Sequence, residues 1–182
     1  MTAGEPTLWT VGHSNRPLDE LIGMLRANGV ELLVDIRSVP KSRYNPQFNR
    51  ESLPGPLAQG GIRYAHMPGL GGLRHPRKDS INAGWRNASF RGYADYMQTP
   101  EFAASLDELL RLAAVERVAV MCAEAVPWRC HRSLVADAVS ARGVAVRHIL
   151  SATRSEPHQV TSFARIVGNL VSYPAPNLEL FG

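Results

Sequence analysis

Between Val118 and Arg132 the chain reads VAVMCAEAVPWRCHR. Four apolar residues run into Cys122 and Glu124, and a turn containing Pro127 follows. Cys130, His131 and Arg132 then stand at the head of SLVADAVSARG, whose apolar spacing is helical. A buried strand, a polar loop and a helix in that order form the repeating unit of a parallel α/β sheet, and the loop is where such sheets carry chemistry. Both cysteines of the chain lie in this stretch, beside a carboxylate, an imidazole and two guanidiniums.

The chain before and after repeats the plan. LWTV (8–11) reads as a strand that leaves through Gly12-His13-Ser14-Asn15. Pro17 and LDELIGMLRANG follow, with apolar residues at 18, 21, 22 and 25 on one helical face ending at Gly29. Ser14 or Asn15 is the expected helix cap. VELLVDIR is a second strand ending in Asp35 and Arg37, and Pro40 closes it. Thr99 and Pro100 start a helix over EFAASLDELLRLAA, and VAVRHIL (144–150) is a last strand. VTSFARIVGNLV reads as a short terminal helix, and residues 172–182 as a Pro-rich tail. The expected fold is α/β, a mostly parallel open sheet with helices on both faces in a Rossmann-like three-layer arrangement. The 182 residues suit a single domain.

Residues 38–92 break the pattern with a long irregular insertion rich in Pro, Gly, Arg, Asn and Ser. Only ESLPGPLAQ, a helix, and IRYAHM, a strand, stand out there. Tyr44, Phe48, Tyr64, Trp85 and Phe90 are interleaved with Arg43, Arg63, Arg74, Arg86 and Arg91. That pattern suits either stacking on bases and gripping phosphates or pinning the loop to the body. The net charge of +4 rests on 18 Arg against 2 Lys. Such a bias reflects either a GC-rich genome or anionic ligands, which Arg binds bidentately. No apolar run reaches membrane-spanning length, and MTAGEPT lacks a signal pattern, so a cytoplasmic protein with reduced thiols and no membrane contact is expected.

Strand C-termini gather on one edge of such a sheet, where ligands bind. His13, then Asp35 and Arg37, then His66, then Cys122 and Glu124 fall there, and Cys130, His131 and Arg132 arrive on the next helix. Three chemistries fit. Cys122 or Cys130 could be a nucleophile, the helix N-terminus favouring Cys130. The span from Cys122 to Arg129 has the plan of cysteine phosphatase and rhodanese loops, but with six intervening residues for their five and without glycines. Cys122, Glu124, Cys130 and His131 could bind a metal, although C-x-E-x5-C-H matches no structural zinc spacing, so no metal or cofactor is assigned. Glu124, Asp35 and His13 could carry protons while Arg37, Arg43 and Arg132 hold a phosphate.

These residues also carry a resemblance. T-V-G-H-S-N, V-D-I-R-S-V-P-x-S-R-x-N-P-x-F, the G-I-x-Y strand, L-G-G, A-D-Y-M with T-P-E-F, and M-C-A-E-x-x-P-x-x-C-H-R resemble, in the same order from about residue 8 to 150, the bacterial domain of unknown function 488 proteins. The resemblance implies an α/β fold and a cluster at His13, Ser14, Asn15, Asp35, Arg37, Arg43, Leu70, Gly71, Gly72, Cys122, Glu124, Cys130, His131 and Arg132. It brings no catalytic role with it. Separately, Asn177-Leu178-Glu179-Leu180-Phe181 resembles the Q-L-[SD]-L-F peptide of bacterial sliding-clamp partners, and Leu178, Leu180 and Phe181 would fill a groove on such a clamp. Two functions are therefore expected. One is an enzyme acting on a nucleotide or nucleic-acid substrate at the sheet edge. The other is a non-catalytic binder of nucleic acid or nucleotides, recruited to replication or repair by its tail.

Overall fold

The computed structural model describes residues 4–176. The clamp-like peptide at 177–181 lies outside them. Five parallel strands form the body of the sheet: β1 Thr7–Gly12, β2 Leu32–Asp35, β3 Arg63–His66, β4 Val118–Cys122 and β5 Ala145–Ile149. A three-residue strand, β6 Ser155–Pro157, adds antiparallel to β5, and the order is β3-β2-β4-β1-β5-β6. β1, β2 and β4 are apolar along nearly their whole length because both of their faces are covered.

The helices are α1 Leu18–Ala27, α2 Pro54–Gln59, α3 Ala88–Tyr96, α4 Pro100–Val115 and α5 Arg132–Ala141. Crossovers from β1 to β2 and from β2 to β3 move outward in one direction, and their helices lie on one face. There Leu21, Met24 and Leu25 of α1 and Leu57 of α2 pack with Val11, Leu33, Ala119 and Phe48. The connections from β3 to β4 and from β4 to β5 run the other way, and right-handed crossover puts their helices on the opposite face. Tyr93, Phe102, Leu106, Leu109, Leu134 and Val135 form that second core. The sheet with helices on both faces is the expected three-layer α/β fold.

Because β1 departs one way and β4 the other, the chain reverses between these two adjacent central strands. That reversal opens a crevice beyond their C-terminal ends. The ladder continues past the strands, with the His13 N–H donating to the Cys122 carbonyl at 3.0 Å and the Ser14 N–H to Ala123 at 2.9 Å. His13, Ser14, Cys122 and Glu124 are thereby set around one opening.

Several local expectations hold. Thr99 caps α4 by accepting the Phe102 N–H, and ESLPGPLAQ and IRYAHM contain α2 and β3. Two do not. The expected helix over VTSFARIVGNLV is instead a turn followed by a hairpin of β7 Arg165–Val167 and β8 Leu170–Ser172. Gly168 adopts φ +61° in the two-residue connection, which breaks a helix and closes a hairpin. Neither Ser14 nor Asn15 caps α1, whose N-terminal flank is Pro17 with no side-chain cap bond. Ser14 is held instead at φ +50° by its bond to Ala123.

The irregular insertion is pinned to the body by aromatics. Trp85 stacks on Phe90 at 4.9 Å and meets Phe163 and Tyr173 at 4.8 and 5.5 Å. Asp95 gathers Ser80, Asn82 and the Arg77 N–H. Tyr44 is the exception among the insertion's aromatics and stands 88 % exposed.

Candidate functional site

A cleft of about 720 Å³ opens at the reversal point, lined by residues from four parts of the chain. The turn after β1 supplies His13, Ser14 and Asn15. The loop after β2 supplies Arg37, Ser38, Lys41, Ser42 and Asn45. The β4–α5 loop supplies Cys122, Glu124, Cys130 and His131, with Gly72 and Leu73 closing one side.

The two sulfurs lie in the wall of this cleft. Cys130 donates its S–H to Cys122 Sγ at 2.7 Å, and Arg132 Nη1 donates to the same sulfur at 3.1 Å. Burial opposes charge on Cys122, which is 2 % exposed. The hydrogen bond from Cys130 and the Arg132 charge outweigh it and bring the thiol down to about 7. Cys130, as the donor of that bond and itself buried, is pushed far up. The helix N-terminus is the reason to expect Cys130 as the reactive sulfur, whereas the Arg132 guanidinium stands on Cys122. Cys130 sits ahead of the helix, and its proton is spent on stabilising Cys122.

Arg132 is wholly buried and does not reach the cleft. Besides Cys122 it donates to the carbonyls of Glu124 and Ala125, at 2.8 and 3.3 Å. It sets the loop and the sulfur together. Gly12 makes this possible, since a Cβ there would fall 1.8 Å from the Glu124 oxygen and 2.7 Å from Arg132 Nη1. Glu124 lines the cleft and is exposed. Arg129, the residue at the position a phosphatase-like loop would use, is exposed and outside the cleft lining.

The second cationic group is also engaged. Arg37 pairs with Asp35, Nη2 to Oδ2 at 2.7 Å and Nε to Oδ1 at 2.9 Å, and donates to the Phe48 carbonyl at 2.6 Å. Tyr64 adds its hydroxyl to Asp35 Oδ2 at 2.5 Å. Asp35 has no exposure and stands behind the cleft. Arg37 Nη1 approaches His13 Nε2 at 3.2 Å, while His13 Nδ1 lies 2.7 Å from the Ser14 carbonyl. These partners fix one tautomer, with Nδ1 protonated and Nε2 accepting. Burial, with Arg37 adding to it, lowers His13 to about 4 and keeps it neutral, stacked 4.4 Å from Phe48. His131 is likewise lowered to about 4 by burial, its Nε2 facing the Ile36 carbonyl at 3.2 Å.

Gly71 is buried, and a Cβ on it would fall 2.4 Å from Ser38 Oγ, which donates to the Gly72 carbonyl. Leu70 is buried and receives the Tyr93 hydroxyl on its carbonyl. The glycine pair therefore draws this segment against Ser38 and His131. Arg43 is exposed and outside the lining. Sequence reasoning missed Ser38, Lys41, Ser42, Asn45 and Leu73. A polar run directly after a strand end was the available signal for the first four. Leu73 carries φ +60°, and with Ser14 it makes two non-glycine residues in left-handed backbone on one cleft. Such strain, on the order of 1–3 kcal/mol per residue, concentrates at functional sites.

Among the described residues no three His, Cys, Asp or Glu side chains form a metal-holding group, and no helix is long and apolar enough to cross a membrane. No curated protein and no solved structure matches the chain. The family model described as Domain of unknown function DUF488 matches residues 17–139, from the start of α1 into α5, and so takes in the Cys122–Arg132 loop while leaving His13 to Asn15 just ahead of it. Over more than half its length the chain carries this family's pattern, and it belongs to the DUF488 family.

Proposed function

We propose that the chain is an enzyme whose reacting group is the Cys122 sulfur and whose substrate is a nucleotide or a nucleic-acid strand bound in the strand-end cleft. One observation carries the reading: the buried Cys122 sulfur lines the cleft with Cys130 Sγ at 2.7 Å and Arg132 Nη1 at 3.1 Å, partners that hold its thiol below the usual range. A thiol whose anion is stabilised in this way is a nucleophile, and an inert packing cysteine has no need of a buried guanidinium. Glu124, across the same loop at the exposed side, is the proton carrier. Ser14, Asn15, Ser38, Ser42 and Asn45 offer hydroxyls and amides suited to sugar hydroxyls and base edges, and Lys41 supplies positive charge. Arg43 and the exposed Tyr44, between cleft-lining Ser42 and Asn45, suit a phosphate and a stacked base.

The same exposed Arg43 and Tyr44 favour the second reading, a binder that holds nucleic acid without turnover. The experiment is alkylation of Cys122 followed site by site across pH, with and without mononucleotides and short oligonucleotides. The enzyme reading expects rapid modification with a midpoint near pH 7 and protection by one of these ligands. It further expects that Glu124→Gln abolishes turnover of the protecting ligand and leaves its affinity nearly unchanged. Binding that falls steeply with salt, with no turnover in the wild type, favours the binder. A Cys122 that stays inert at pH 8 and is shielded by none of these ligands sinks the enzyme.

A further inference from the structure

We infer that Cys122 and Cys130 form a dithiol oxidation site, in which a hydroperoxide entering the cleft oxidises Cys122 and Cys130 closes on it to give an intramolecular disulfide. The inference shares Cys122 with the reading above but not its substrate, and it stands whether or not a nucleotide binds.

The geometry is that of an attacking thiol and a resolving thiol. The two sulfurs are 2.7 Å apart, inside ordinary contact distance and within about 0.7 Å of a disulfide bond length of ~2.05 Å. Both line the cleft, so a small peroxide reaches them without an opening of the fold. Their backbones are fixed at the end of β4 and just ahead of α5. The Cys130 N–H bonds to the Pro127 carbonyl at 3.1 Å and the Arg132 N–H to Cys130 Sγ at 3.4 Å. Closure is therefore a side-chain movement.

The neighbouring groups supply what each step needs. Arg132 Nη1, 3.1 Å from Cys122, stabilises the thiolate that attacks. The Cys122 thiolate bonds to the terminal, hydroxyl-bearing peroxide oxygen, the O–O bond breaks, and the alkoxide leaves as an alcohol after taking a proton from water. Cys122 is now a sulfenic acid. His131 Nδ1 lies 3.5 Å from Cys130 Sγ, and because Nε2 donates to the Ile36 carbonyl, Nδ1 is the acceptor nitrogen. It relays the Cys130 proton towards the departing oxygen as that sulfur attacks Cys122. The S–S bond forms, the S–O bond breaks, and the hydroxide leaves as water with the proton from His131. Two thiols and one hydroperoxide give one disulfide, one alcohol and one water. Peroxide is reduced by two electrons, and the sulfur pair is oxidised by two. A thiol such as dithiothreitol reverses the change, whereas a Cys122 without its partner would proceed to sulfinic acid.

The test treats the reduced full chain with one to five equivalents of hydrogen peroxide, then alkylates it and reads intact mass and peptides. The expected product has lost about 2 Da and yields a single Cys122–Cys130 linked peptide, with no alkylation at either position and full recovery after dithiothreitol. In Cys130→Ser, dimedone should trap a sulfenic acid at Cys122, and more peroxide should drive it to sulfinic acid. His131→Asn should slow closure at least several-fold while leaving the first oxidation rate unchanged. Wild-type chain that keeps two alkylatable thiols, passes to sulfinic acid at Cys122, or links between molecules overturns the inference. These outcomes are read on the wild type, so a variant that fails to fold does not rescue it. Loss of nucleotide protection with the disulfide intact would overturn only the substrate reading.

Discussion

Arg132 Nη1 sits 3.1 Å from Cys122 Sγ although the two residues are ten apart in the chain, and the same nitrogen holds the Glu124 carbonyl at 2.8 Å. One buried guanidinium thus ties a strand end, the loop after it and the head of the following helix into a single unit. A charge placed so deeply has a large desolvation cost, which is offset only while all its partners are in place. A purely structural residue at this position would be better served by an apolar side chain. The sulfur gives the charge a chemical use.

Arg132→Lys keeps the charge but loses the planar fork. It should raise the Cys122 pKa and slow alkylation at pH 7, and Arg132→Met should raise it further. Both variants leave the Glu124 and Ala125 carbonyls short of donors, so stability should fall by roughly 2–4 kcal/mol. Thiol pKa from the pH dependence of iodoacetamide reaction, together with urea unfolding, checks both effects. An unchanged thiol midpoint in a folded Arg132→Met would remove Arg132 from the account of Cys122.

Gly12→Ala tests the same unit from the strand side. The added methyl would meet the Glu124 oxygen at 1.8 Å, backbone against side chain, so the loop must move. A loss of 3 kcal/mol or more is expected by urea unfolding, since overpacking of this severity exceeds the usual 1–3 kcal/mol. Gly23→Ala, on α1 with nothing within 4 Å of the added carbon, is the control and should be neutral or slightly stabilising. If the two variants unfold at the same urea concentration, the close approach at Gly12 is not a constraint.

Much of this was legible in the sequence because it depends on short apolar runs. β1, β2, β3, β4 and β5 each read as a strand, and the rule that strand ends share an edge grouped His13, Cys122, Glu124, Cys130 and His131, which line one cleft. What escaped were features without periodicity. β7 is three exposed residues, too short to carry a pattern, and its apolar Ile166 and Val167 imitated a helix. The cleft residues Ser38 to Asn45 sit in irregular backbone. The commitments of Asp35 to Arg37 and Tyr64, and of Arg132 to Cys122, arise from register between distant elements, which no local window contains.

Acid should unfold the protein through its buried imidazoles. Burial lowers His13 and His131 to about 4 and His148 to about 3, the last also disfavoured by the neighbouring His158. An unfolded chain titrates these groups near 6.5. Above that value neither state binds the protons, and the histidines leave stability untouched. Between about 6.5 and 4 the unfolded chain binds protons that the folded one refuses, so stability falls as pH falls through this window and recovers as it rises. At pH 5.5 the cost is on the order of 1 kcal/mol per histidine, or roughly 3–4 kcal/mol together. Urea midpoints at pH 7.5 and 5.5 measure it. His131→Gln should flatten the dependence by about one proton, because a glutamine amide can still donate toward Ile36 but cannot ionise. A wild-type midpoint that is the same at both pH values would mean that these imidazoles are open to protonation in the folded protein, and the neutral tautomers at the cleft would fall with it.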